Sequence, residues 1–198
     1  MQVTSAAKNT DINWYEVDWK AELKNNITSV VGLEEYISLS TQEAKDIREI
    51  ADRHPMNIPR YYLELINPND PDDPIRKLAI PSTDELILAG SMGETTGDPY
   101  GDDKHDKGNG VLHKYPYTAL VVATEYCSMY CRHCFRKRMV GLPNDQTVKS
   151  FQEAAKYIAE HKEIKNVVMS GGDPLLLPTE VLRKMLDALR GIEHLNYI

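Results

Sequence analysis

The chain has 198 residues, 41% of them apolar and 27% charged, and its 23 basic and 30 acidic side chains leave a net charge of −7. That balance describes one ordinary globular domain with a sizeable core, and the acidic sign argues against a nucleic-acid binder, which carries a basic face. No apolar run reaches the roughly 18 to 20 residues of a membrane span, and the first twenty residues lack the basic start and apolar centre of a secretory signal. The three cysteines crowd positions 127, 131 and 134, so a reducing, cytoplasmic compartment is expected rather than a disulfide framework.

Residues 1–90 read as a polar, helical N-terminal segment. Trp19, Leu23, Ile27 and Val30/Val31 recur at helical spacing and give one apolar stripe. A second helix is predicted to start at Ser40, where Glu43 stands three positions on as in a capping box. Ala44, Ile47, Ile50 and Ala51 form its inner face, and Pro55 stops it near His54. These stripes can pack on a second subunit, making a homo-oligomer, or cap the chain's own barrel. The stretch NPNDPDDPIRKLAIP at 67–81 carries four prolines and is expected to be an ordered, extended connection rather than a helix. Residues 91–110, rich in glycine, read as a loop or linker, and 111–198 as the next domain.

From residue 117 the pattern changes. Thr118–Thr124 is a continuous apolar run, as in a strand covered on both faces. A helix is predicted over about 147–161, opened by Ser150 and Glu153, followed by a second buried strand at 166–170. A helix over about 179–190 ends at Gly191, and 194–198 reads as a third strand. Strand, helix, strand, helix, strand is the signature of parallel βα units, whose functional groups gather where strands end. Two unusual segments fall there: Cys127 to Cys134 after the first strand, and Gly171-Gly172-Asp173 after the second.

C-x3-C-x2-C places three thiols on one short loop. As unligated core residues they would sit oddly with Arg132 and His133 between them. Zinc would need a fourth ligand, His133 or His113. An iron–sulfur cluster is the preferred reading, because thiolate is the ligand such centres select and three thiolates leave one iron of a cubane open. Paired glycines let backbone groups approach a ligand closely, and Asp173 can meet an ammonium group; alone, that segment would pass for a strand-to-helix turn.

With HKYP at 113–116, CSMYCRHCFRKR at 127–138 and SGGDPLLL at 170–177, the chain resembles the radical S-adenosylmethionine superfamily and, within it, the lysine 2,3-aminomutase family. The resemblance implies an α/β fold: an N-terminal helical segment followed by an incomplete radical-SAM barrel, a partial TIM-like β/α barrel. It implies that Cys127, Cys131 and Cys134 ligate a [4Fe-4S] cluster. S-adenosyl-L-methionine would lie against His133, Ser170, Gly171, Gly172 and Asp173, and Arg136 would hold the carboxylate of a small amino acid substrate. Lys137 and Arg138 read as a solvated basic run. The implied activity is an isomerase: with an electron donor for the cluster, a 5′-deoxyadenosyl radical moves the α-amino group to the β carbon through an imine on pyridoxal 5′-phosphate. The family's Arg-Tyr pair and further Arg near that phosphate are matched here by Lys114, Tyr115 and Thr118, so the charge is kept without its fork at one position and lost at the other. A pyridoxal-phosphate-independent radical SAM enzyme and a non-catalytic iron–sulfur or zinc-binding fragment are the competing readings. No catalytic residue is assigned, because the imine-forming lysine lies beyond this chain's end in the family. A closed barrel needs roughly 250 residues, so the chain alone is expected to be catalytically incomplete, a truncated product or a piece of a split enzyme.

Overall fold

The computed structural model describes residues 12–68, 70–85, 98–142 and 148–198. The chain divides into two compact units. One comprises Met1–Thr95 with Ser128–Lys137, the other Thr96–Cys127 with Arg138–Ile198.

In the first unit the apolar stripe of residues 19–31 does not form one helix. Asp18 caps a single turn, α1 (Trp19–Glu22), a 3-10 turn follows at Leu23–Asn25, and α2 (Val30–Glu34) starts anew behind Ser29. The break falls at Ile27, whose backbone pairs with Ile58 in both directions, at 2.8 and 3.0 Å. That pairing offers the amides a partner outside any helix, and Trp19 is left half exposed. α3 (Thr41–Arg53) begins as its sequence predicts: Ser40 Oγ accepts from the Glu43 amide and Glu43 reaches back to the Ser40 amide, at 3.2 and 2.8 Å. Such reciprocal caps are worth about 1 kcal/mol.

After α4 (Arg60–Leu65) the proline-punctuated stretch departs from expectation. It contains a helix, α5 (Pro74–Ala79), where an extended connection was predicted. The reason is local. Pro74 occupies the first helical position, where its missing N–H costs nothing and its fixed φ is already helical. Asp73 caps it, accepting from the Arg76 amide at 2.8 Å and the Asn67 amide at 3.1 Å. Those two amide bonds hold the Asp73 carboxyl below its ordinary range. Leu33, Ile47, Ile58, Leu63 and Ala79 form the unit's core, together with Met129 and, at its margin, Cys131.

The second unit is an open three-stranded sheet in the order β1-β2-β3, flanked by helices. A short helix, α6 (Asp102–His105), occupies part of the glycine-rich stretch; residues 91–97 of that stretch lie outside the described residues. β1 (Val111–Tyr115), absent from the sequence reading, runs antiparallel to β2 (Thr118–Thr124) through a two-residue turn, and β3 (Asn166–Gly171) pairs with β2 in parallel. The crossover between them is α7 (Phe151–Glu160), capped by Ser150, and α8 (Thr179–Arg190) follows β3. The two-residue side-chain period divides the sheet. Val111, Ala119, Val121 and Val167 face Ala154, Ile158 and Leu189 of the helices, whereas Leu112 and Val122 pack with Met139. β3 is not covered on both faces, since Val168, paired with Leu120, is 47% exposed. The expected third strand at 194–198 is reduced to one parallel bridge, Asn166 with Tyr197. Among the described residues no helix is long and apolar enough to cross a membrane.

Candidate radical-cofactor site

The two predicted segments follow the carboxyl ends of β2 and β3, and the structure shows how the second is held to the chain leading into the first. Gly171 pairs with Thr124 at the end of the ladder. The Gly172 amide then donates to Thr124 O at 2.5 Å, and the Asp173 amide to Tyr126 O at 2.7 Å. Neither glycine tolerates a side chain. Gly171 has φ +112°, a region L side chains rarely adopt, and a Cβ there would strike the Thr124 carbonyl; a Cβ on Gly172 would strike the backbone of Tyr126. Ser170, Gly171, Gly172 and Asp173 are therefore one half-buried backbone surface. One oxygen of the Asp173 carboxylate caps the 3-10 turn Pro174–Leu176 through the Leu175 amide at 3.0 Å.

Cys127 closes the β2 loop of the sheet unit, while Cys131 and Cys134 belong to the helical unit. These last two share one turn, in which the Cys134 amide donates to Cys131 O at 3.1 Å. None of the three cysteines is bridged by a disulfide, and all three are half-buried. Burial, and secondarily the neighbouring Cys134, pushes the Cys131 thiol above its ordinary pKa. Among the described residues, no group of three or more His, Cys, Asp or Glu side chains is gathered to hold a metal ion. The donor chemistry nevertheless fits an iron–sulfur cluster: three unbridged cysteines, and beside the first of them a turn whose two glycines bring no side chain.

The basic residues of the loop are not a solvated run. Arg132 and Arg136 are buried, and the Arg136 guanidinium lies 4.6 Å from the Phe135 ring centroid. Lys137 pairs with Glu85 at 2.6 Å, and Arg138 with Asp103 at 3.1 Å and Asp98 at 3.6 Å. Both cations expected in solvent are thus largely covered, because each has a carboxylate that offsets its desolvation. Burial opposes ionisation of Glu85, yet its hydrogen bonds from Arg132 and Lys137 outweigh that and hold its carboxyl below the usual value. His133 is exposed and lines, with Arg132 and Arg76, a cleft of about 1090 Å³ within the helical unit.

Lys114 and Tyr115 stand at the exposed end of β1. Lys114 Nζ donates to the Tyr100 carbonyl at 2.7 Å and lies 5.7 and 5.8 Å from the Tyr100 and Tyr115 ring centroids. Thr118 accepts from the Asn166 side chain at 3.4 Å. Sequence reasoning missed Asn26, Asn57 and Glu85, which hold the cysteine turn. The one available signal was general: a cation between two candidate ligand cysteines needs a carboxylate if the turn is covered.

Residues 121–198 match the Radical SAM superfamily. The chain carries a radical SAM domain. Over 96% of its length it is 37% identical to an L-lysine 2,3-aminomutase of Clostridium subterminale. It is 38% identical over 91% of its length to an L-lysine 2,3-aminomutase of Acetoanaerobium sticklandii, and 34% identical throughout to a glutamate 2,3-aminomutase of Clostridioides difficile. The chain spans 44%, 43% and 46% of these relatives respectively, less than half of each. The match over residues 121–198 implies a [4Fe-4S] cluster and S-adenosylmethionine.

Proposed function

We propose that this chain supplies the cluster- and S-adenosylmethionine-binding part of a cytoplasmic radical 2,3-aminomutase acting on a small amino acid. The observation that carries the reading is the pair of backbone bonds from Gly172 and Asp173 to Thr124 and Tyr126. They make the glycine turn and the segment leading into Cys127 one continuous strand-end surface. Cys127, Cys131 and Cys134 would hold the cluster. Ser170 to Asp173 would receive the methionine end of the cofactor, the Asp173 oxygen not engaged by Leu175 meeting its ammonium group, and His133 would lie against its adenine. The buried guanidinium of Arg136 would orient a substrate carboxylate, for which its planar fork is suited. When bound, the cluster and S-adenosylmethionine supply homolytic hydrogen abstraction, and pyridoxal phosphate supplies a carrier for the migrating amino group.

Whether lysine, glutamate or another amino acid is the substrate is an outcome of assay, since relatives of both names match this chain. The sheet has three strands among the described residues, and turnover is proposed to need further strands. Anaerobic reconstitution should give about four irons per chain and no stoichiometric zinc, and a reductant should then drive cleavage of S-adenosylmethionine. Colourless protein without iron would overturn the reading. Amino-group migration by this chain alone would overturn its incompleteness.

A second reading, a radical SAM enzyme without pyridoxal phosphate, is favoured by one observation. Lys114 is turned to the Tyr100 carbonyl and two rings, and Thr118 to Asn166, so neither presents a charged fork to a phosphate. Absorbance of bound pyridoxal phosphate, lost in Tyr115→Phe and Lys114→Ala, separates the two.

A further inference from the structure

A largely covered carboxylate beside the cysteine turn needs a reason, because desolvating an ion is costly unless its partners are well placed. Glu85 has such partners. Its Oε1 accepts from Arg132 Nε at 3.0 Å, and its Oε2 from Arg132 Nη2 at 2.7 Å and from Lys137 Nζ at 2.6 Å. Arg132 directly follows Cys131, and Lys137 stands three residues after Cys134. One carboxylate therefore grips the turn that bears both thiols at its two ends. The turn is also held by its backbone: the Arg132 amide donates to Leu78 O at 2.8 Å, and the Arg132 guanidinium to Pro55 O at 3.0 Å.

Resting on the cluster assignment above, we propose that Glu85 is a positioning residue. It staples residues 131–137 so that the Cys131 and Cys134 thiols keep one orientation before any iron is bound. A ligand turn already ordered loses less conformational freedom when the metal arrives, and groups that orient ligands commonly change metal affinity by about 10- to 100-fold. Without the carboxylate, the buried Arg132 and the largely covered Lys137 would be left side by side without their shared counter-charge, and the turn would open to hydrate them. This role differs from a simple contribution to folding stability, because it predicts a change confined to these two cysteines.

The test compares wild-type protein with Glu85→Gln, Glu85→Asp and Lys137→Gln. In the cluster-free form, the alkylation rate of each cysteine is read by peptide mass. In the reconstituted form, the rate of iron extraction by a chelator is read by absorbance. Glu85→Gln should speed alkylation of Cys131 and Cys134, but not Cys127, and speed iron extraction about tenfold or more. Glu85→Asp should recover part of the loss, and Lys137→Gln, which frees only the far end, should change both rates a few-fold. Wild-type rates in Glu85→Gln and Lys137→Gln would overturn the staple. If Glu85→Gln loses its helical circular dichroism, Lys137→Gln decides alone. If wild-type protein takes up no iron while the Glu85→Gln alkylation rates rise as described, the cluster assignment fails and the staple stands.

Discussion

The cysteine turn and the glycine turn both follow strand ends, the first after the loop that leaves β2 and the second directly at the end of β3, yet they are built by different means. The glycine turn is tied to its neighbour by backbone bonds, against a strand end so close that a single methyl group would collide with it. The cysteine turn adds to its own backbone bonds, such as that from the Arg132 amide to Leu78 O, a set of side chains reaching across the sequence. Asn26 bonds the Ser128 carbonyl at 2.9 Å from 102 residues away, and Glu85 bonds Arg132 from 47. A turn fixed by proximity tolerates no added atoms, whereas a turn fixed by partners tolerates no lost ones.

That contrast can be broken in order of effect. The largest loss is expected from Cys127→Ala, Cys131→Ala or Cys134→Ala, each of which should abolish the intact four-iron cluster; iron analysis and the paramagnetic signal of the reduced protein check it. Arg132→Ala comes next. It leaves Glu85 buried with only Lys137, and breaking such a pair costs about 3–5 kcal/mol, read as a lower urea midpoint. Gly171→Ala should cost about 2–3 kcal/mol, from an unfavourable φ and an overpacked contact, and should weaken S-adenosylmethionine binding by calorimetry with little effect on iron retention. If Gly171→Ala and Arg132→Ala impair iron retention equally, the two turns are not independent and the comparison fails.

The smallest expected effect concerns pH. The hydrogen bond from Arg60 holds Glu22 below its ordinary value of 4.5, against an opposing effect of burial. A carboxyl whose pKa is depressed on folding contributes stability that is fully present above its unfolded value and lost as pH falls through its folded value. Glu22→Gln should therefore flatten the acid limb of a plot of urea midpoint against pH below about 4.5, and leave it unchanged near neutrality apart from a uniform offset.

Much of the fold was legible where the determinants are local. Ser40 and Glu43 announced α3, Ser150 announced α7, and the unbroken apolar run 118–124 is β2 to the residue. Prolines misled at 74, where position relative to a capping aspartate decides whether Pro opens a helix or forbids one. The stripe at 19–31 misled because a bridge between Ile27 and Ile58, invisible to periodicity, intercepts the backbone. At the candidate site the cysteine spacing and the glycine pair were readable because their chemistry is carried by residue type. Glu85 was not, since nothing in the order of 30 acidic residues marks which one folds back onto Arg132. Lys137 and Arg138 looked like surface charges for the same reason.

The hairpin of β1 and β2 turns on Pro116 and Tyr117 alone, with Tyr115 facing Thr118 across it. Local pairings of this kind close within microseconds, long before a distant parallel strand can be recruited. During synthesis the most apolar strand of the sheet therefore acquires a neighbour before α7 and β3 have left the ribosome. One of its sticky edges is shielded at the stage when a nascent chain is most prone to aggregate.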